Sequence, residues 1–223
     1  MIRLSHVSRS YEQQTGLPVR ALDDFSLTLA EGSMTAITGP SGCGKSTLLH
    51  LLGALDHPDA GEVEVAGIPL HLAGERQRTL YRRETVGIVF QFFHLLPGMT
   101  LLENVALPLI LGGTGKRPAS EKAAALLQLA GLSEKTARLP HEVSGGELQR
   151  AAVARALVRQ PRLLLADEPT GNLDSENAAR VMDLLHTVHR SGLATIVLVT
   201  HSPEIAAQAP GRIALADGKI ALR

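Results

Sequence analysis

GPSGCGKST, residues 39–47, stands between the apolar run MTAIT at 34–38 and a stretch that reads as helix from about Lys45. A strand before and a helix after is the setting that a phosphate-cradling glycine loop requires. Its glycines let the backbone wrap so that successive N–H groups point inward at phosphate oxygens, and the helix N-terminus adds positive potential. Gly39, Pro40, Ser41, Gly42, Cys43 and Gly44 then form the cradle, Lys45 reaches the outer phosphates, Ser46 offers a hydroxyl to Mg²⁺, and Thr47 completes the motif. Cys43 occupies a free position of the motif, where a small side chain is all that is needed.

A matching element lies 115 residues or more downstream. RLLLADEPT, residues 162–170, holds after Arg162 a fully apolar run, the mark of a parallel strand buried on both faces. Asp167 and Glu168 therefore emerge at its C-terminal edge, where ligands of open α/β sheets collect. Asp167 is expected to orient Mg²⁺, and Glu168 to polarise an attacking water, a general-base role worth about two to four orders of magnitude in rate.

Around these motifs the first ninety residues read as short strands, FSLTL (25–29), MTAIT (34–38), EVEV (62–65) and VGIVF (86–90), interrupted by one long helix. From Leu101 to about Gln160 the pattern is helical; in SEKAAALLQLAG, Ser120 is placed to cap a helix and Gly131 to end it. Strands resume at 162–167 and at ATIVLVT (194–200). Between them SENAARVMDLLHTVHR puts Val181, Leu184, Leu185 and Val188 on one helical face. An α/β body divided by a helical insert follows, with no internal repeat and no linker calling for a second independent domain.

Composition narrows the partners. The 22 Lys and Arg balance the 22 Asp and Glu, so no basic field argues for nucleic acid. One cysteine excludes an internal disulfide framework and fits a reducing compartment. The N-terminus lacks the pattern of a signal peptide, and no window approaches the roughly 20 apolar residues of a membrane span. A soluble, cytosolic chain is expected. The histidines His50, His71 and His186 have no metal-ligand spacing.

VSGGELQR, residues 143–150, sets two glycines at the start of a helical stretch. Together with the phosphate loop at 39–47, Gln91 after VGIVF, LLLADEPT at 163–170, GNLD at 171–174 and His201 after IVLVT, it stands in the order and spacing of an ATP-binding subunit of an ABC transporter, which the whole chain resembles. FQFFHLLPGMTLLENVALPL (90–109) and DEPTGNLDS (167–175) are similar to the branch serving macrolide exporters, lipoprotein-releasing complexes and the cell-division permease.

The resemblance implies an α/β P-loop ATPase core with an antiparallel β subdomain and a helical subdomain at about 92–160, inserted in a single domain spanning 1–223. It implies that Ser144, Gly145, Gly146 and Glu147 approach the γ-phosphate of ATP held by a second copy, so that two composite sites form in a head-to-tail ATP-sandwich dimer. Two departures from the commonest signature, Val143 for Leu and Glu147 for Gln, are expected to be tolerated; Glu147 suits the first turn of a helix. Tyr11 would stack on adenine, Gln91 would sense Mg²⁺ or the attacking water, His201 would contact the γ-phosphate, and Asp174 would lie across the dimer interface. Phe90, Phe92 and Phe93, followed by Leu95, Leu96 and Pro97, look like the groove that receives a helix of an integral membrane permease. The chain would then sit peripherally on the inner face of the cell membrane, hydrolysing ATP to drive export, lipoprotein release or mechanical work. A polar-amino-acid importer subunit and a soluble non-transport ATPase are the alternatives; the latter's long coiled-coil inserts or tandem nucleotide domains are missing here.

Overall fold

The computed structural model describes residues 1–12 and 18–221. Their contacts group into two units, one made of the segment ending at Arg82 together with the segment from Thr195 onward, the other of Arg83–Ala194.

In the first unit, strand β1 (Ile2–Glu12) runs antiparallel between β2 (Pro18–Leu29) and β4 (Ala60–Val65), with the two-residue β5 (Ile68–Pro69) outside β4. Ile2, Leu4 and Val7 are buried, but their spacing shifts at a bulge where His6 takes a positive φ. That irregularity, together with the polar RLSHVSRSYE, hides β1 from a search for strict alternation. A parallel group follows: β3 (Met34–Thr38) pairs with both β8 (Thr195–Val199) and β9 (Gly211–Ala216). Buried on every residue from Met34 to Ile37, β3 delivers the chain to Gly39 at its C-terminal end. Helix α1 (Lys45–Leu52) packs on β2, β4 and β8, and the short α7 (Pro203–Ala207) on β3. β10 (Lys219–Ile220) closes a hairpin on β9, and in its turn the Gly218 N–H donates to the Cys43 carbonyl at 3.2 Å, fastening the back of the 39–44 loop.

Helix α2 (Glu75–Glu84) was not expected from the sequence. Its ERQRTLYRRE has no apolar stripe, and only Tyr81 is buried, its hydroxyl donating to the Leu52 carbonyl at 2.5 Å. Burial pushes that hydroxyl's pKa far above its ordinary value.

In the second unit β6 (Val86–Val89) pairs in parallel with β7 (Leu163–Asp167), so the apolar run at 162–167 is the buried parallel strand expected of it. Helices α3 (Leu101–Leu111), α4 (Lys116–Leu129) and α5 (Gly145–Leu157) pack on one another, and α5 also packs on β6 and on α6 (Ser175–Arg190). The seam is made of small and aliphatic residues: Val105, Ala106 and Leu109 from α3, Ala119, Ala123 and Leu127 from α4, Ala151–Ala154 from α5. α6 buries Val181, Leu184, Leu185 and Val188, as its periodicity requires. Ser120 does not cap a helix. α4 starts four residues earlier, with Gly115 at its N-cap, because Pro118 is tolerated in a first turn whose N–H groups have no helical partner. At the other end α4 stops at Leu129 and Gly131 follows at φ 69°.

Candidate functional site

The residues singled out by sequence are divided between the two units, each described in turn.

In the first unit the loop after β3 turns directly into α1. Gly44, at the helix N-cap, has φ 104°, and a Cβ there would overlap the Ala21 carbonyl, so no other residue fits. Lys45 is buried and arcs back over the loop, its Nζ donating to the carbonyls of Gly39 (2.8 Å) and Pro40 (2.7 Å), with Cys43 Sγ at 3.8 Å. α1 carries no acidic residue in its first turn, so nothing offsets the positive end of its dipole. Beside it opens a cavity of about 280 Å³, with Tyr11, Val19 and Ala21 on one wall and Gly42 and Gly44–Thr47 on the other. None of its lining residues is acidic, and its one charge is Lys45. A cavity with a cationic, N–H-rich wall facing an apolar and aromatic wall suits a molecule with an anionic tail and a flat head. His201 is exposed two residues beyond β8 and lines a different cavity, with Thr38 and Arg212.

The second unit gathers the rest. Asp167 ends β7 and Glu168 follows at φ 44°, a left-handed conformation costly for a residue with a Cβ and held here by a turn in which the Gly171 N–H donates to the Glu168 carbonyl at 3.0 Å. The side-chain amide of Gln91 lies against Gly171, and Asn172 Nδ2 donates to the Gln91 carbonyl at 3.4 Å. Asp174 is exposed and caps α6, accepting from the backbone and side-chain N–H groups of Asn177 at 2.8 to 3.0 Å. Those bonds, the backbone one foremost, hold its carboxyl below the usual carboxylate range.

Ser144 caps α5 in a reciprocal box: the Glu147 N–H donates to Ser144 Oγ at 3.4 Å and the Ser144 N–H to Glu147 Oε2 at 2.8 Å. The Ser144 hydroxyl also donates to that oxygen at 3.2 Å, and Lys135 Nζ stands 3.8 Å from the other. The Ser144 N–H is the main reason the Glu147 carboxyl sits below its ordinary pKa, with Lys135 adding to it. The departure from Gln at 147 is thus absorbed by the helix start itself, a capping box of the kind that stabilises helix N-termini.

The two glycines differ. Around Gly145, exposed, a Cβ would meet only Leu173 and Phe93 at 3.7 Å, ordinary contact. Gly146 is buried, and a Cβ there would overlap the Asn177 side chain. Gly145→Ala is therefore expected to leave unfolding stability unchanged or raised by up to about 1 kcal/mol, the helix preference of alanine over glycine. Gly146→Ala should cost about 1 to 3 kcal/mol through overpacking. Urea unfolding of the two variants checks the order, and a more damaging Gly145→Ala would refute these surroundings.

Several partners could not be read from spacing. Gln149 of α5 donates to the Phe90 carbonyl at 3.2 Å, and Arg155, two turns further along, donates to the carbonyls of Phe93 (2.8 Å) and His94. Asn104, fully buried in α3, accepts from the Leu96 N–H at 2.7 Å and donates to the carbonyls of Leu96, Met99 and Thr100. The 90–100 segment thus turns its backbone polar groups inward, while Phe92 is 66 % and Leu96 46 % exposed. Neither Phe90 nor Phe93 is fully buried, so none of the three phenylalanines is taken into the core. The signals were an asparagine within an apolar helix and arginine within an alanine-rich one, and neither names its partner.

The ABC transporter family model matches residues 22–171. This chain belongs to the ABC transporter family. It is 43% identical over 219 residues to the lipoprotein-releasing system ATP-binding protein LolD of Bordetella avium, covering 98% of this chain and 95% of that protein. With the LolD of Ruegeria pomeroyi it shares 46% over 220 residues, 98% and 96% of the two chains. Among solved structures, the dimeric structure of MJ0796, a bacterial ABC transporter cassette, superposes with a TM-score of 0.91 at 38% identity, covering all of this chain and 97% of that one. A second, of MJ0796 in a post-hydrolysis state bound to ADP and Pi, gives 0.91 at 37%. The ABC ATPase fold expected from the motifs is therefore the fold observed, and the activity that goes with it is ATP hydrolysis. Within this cassette the loop at 39–47 and the cavity beside Tyr11 have the chemistry a nucleoside triphosphate needs. No helix among the described residues is long and apolar enough to cross a membrane.

Proposed function

We propose that this subunit drives a lipoprotein-releasing permease from the inner face of the cell membrane, working as a head-to-tail pair of identical chains. The observation that carries this reading is the likeness to LolD proteins, at 43% and 46% identity across nearly the full length of both chains. The exposed apolar side chains of Phe92 and Leu96 on an internally satisfied backbone support a membrane partner at that segment, since exposed apolar clusters mark interaction surfaces.

In this reading residues 39–47 grip the phosphates of ATP, Lys45 the outer ones, and Tyr11 meets the adenine. Ser46, Asp167 and Gln91 are hard oxygen donors of the kind Mg²⁺ takes, and the ion would supply charge neutralisation on the phosphate oxygens. Glu168 removes a proton from the attacking water, with His201 helping to hold that water and the γ-phosphate. Ser144, Gly145, Gly146 and Glu147 of one copy present a helix N-terminus to the γ-phosphate held by the other, where the dipole favours the anion. Asp174 lies along the same junction. ATP then joins the two copies, and hydrolysis lets them part.

Purification of tagged Glu168→Gln protein with ATP from native membranes, followed by mass spectrometry of what accompanies it, tests the reading. A permease with four membrane helices and a large extracytoplasmic domain is expected. A multi-span importer permease would replace it with the amino-acid importer, and repeated recovery of soluble partners alone with a non-transport ATPase.

A further inference from the structure

Tyr11 is fixed in place before any nucleotide arrives. Its hydroxyl donates to Asp56 Oδ2 at 2.7 Å. The same oxygen receives Arg9 Nε at 3.0 Å, while Asp56 Oδ1 accepts from the His57 N–H at 2.8 Å and lies 2.9 Å from Arg9 Nη2. Arg9 Nη1 continues to Asp59 Oδ1 at 2.5 Å, and Asp59 Oδ2 accepts from the Ser10 N–H at 2.7 Å. Arg9 Cζ stands 4.8 Å from the centre of the Tyr11 ring. The Arg9 and Asp56 side chains are only 16 % and 17 % exposed, whereas Tyr11 is 36 % exposed and forms a wall of the cavity that also contains Lys45.

A tyrosine near the end of a strand ordinarily has freedom about two side-chain torsions, and stacking on it costs the ordering of the ring. Here the ring is tied at its hydroxyl and covered on one side by a guanidinium. Tyr11 lines the cavity and Arg9 does not. A cation on one face also draws on the electrons of the ring, which favours an electron-rich, extended base on the other.

We propose that Arg9 and Asp56 are positioning residues for the nucleotide base: they hold Tyr11 with one face occupied and the other presented to a purine, so that the site favours a base-bearing triphosphate over bare polyphosphate. The proposal rests on reading residues 39–47 as the phosphate loop for ATP. It adds to that reading a cause for base affinity lying outside the motif, in the strand and in the turn after α1.

The test compares equilibrium binding of ATP and of inorganic tripolyphosphate, which offers phosphates without a base. Arg9→Met, which keeps the aliphatic stem, is expected to weaken ATP about threefold to tenfold, a part of the roughly fivefold to 150-fold that loss of a stacking ring costs. Tripolyphosphate affinity should stay within twofold, and in turnover KM for ATP should rise more than kcat falls. Arg9→Lys should recover part of the loss. Tyr11→Phe, which removes only the hydroxyl, keeps the test available if Arg9→Met does not fold, and should weaken ATP alone by about twofold. Equal weakening of both ligands would assign Arg9 a structural role and overturn the proposal, as would ATP affinity unchanged in both Arg9→Met and Tyr11→Phe. Lys45→Ala separates the two levels of the argument: if it leaves tripolyphosphate binding intact, the phosphate-loop reading itself falls.

Discussion

Glu168→Gln is expected to bind ATP within about twofold of the unaltered subunit and to turn it over some two to four orders of magnitude more slowly, the usual worth of a general base. The change replaces one oxygen by an NH₂ and preserves shape. It therefore spares the unusual backbone at this position, φ 44° closed by the Gly171 N–H, which a β-branched residue would disturb. What it removes is a site able to take a proton. Because binding survives and turnover does not, the ATP-joined pair should accumulate, and size-exclusion chromatography with ATP should show twice the mass seen without it. Turnover near the original rate would remove Glu168 from the role. Loss of ATP binding in step with turnover would instead mean that the β7 edge supports the site rather than acting in it.

Lys45→Ala should lower ATP affinity by about a hundredfold or more. The side chain holds the Gly39 and Pro40 carbonyls at 2.8 and 2.7 Å. Charge-assisted hydrogen bonds of this kind are worth about 1.5 to 3 kcal/mol each, roughly one to two orders of magnitude in affinity. Alanine therefore forfeits both the charge offered to phosphate and the tie that keeps the loop wrapped. Titration calorimetry reads the first loss, and urea unfolding reads the second. Unchanged ATP affinity would dissolve the assignment of residues 39–47.

The elements that carry the candidate site were legible because each depends on a short, contiguous run. The apolar burst of MTAIT, the glycines behind it and the acid pair after RLLLA each need only their neighbours to be interpreted, and β3, β7 and α6 fall where those runs place them. What escaped depends on distance or on irregularity. α2 buries a single tyrosine in a charged sequence, so periodicity has nothing to detect. Ser120 looked like a cap because it precedes an apolar run, but a proline in a first turn let the helix begin at Lys116. Gly146 reads in the sequence only as a close approach to phosphate; the fold also sets Asn177, 31 residues away, against it, and nothing in VSGGELQR announces that neighbour. Arg9 and Asp56 are likewise 47 residues apart, and neither belongs to a motif.

The 90–100 segment separates two kinds of information. Its path is written by Gln149, Arg155 and Asn104, which grip main-chain atoms common to every residue, while Phe92 and Leu96 face outward with little hold on the path itself. Such a surface is free to drift. If the permease docks there as proposed, substitutions at the outward positions would change which one is recognised and leave the contacts beneath in place. On the proposed reading a few side-chain changes there would suit one cassette to different permeases, whereas loss of Asn104 or Arg155 would release the main-chain path on which those side chains stand.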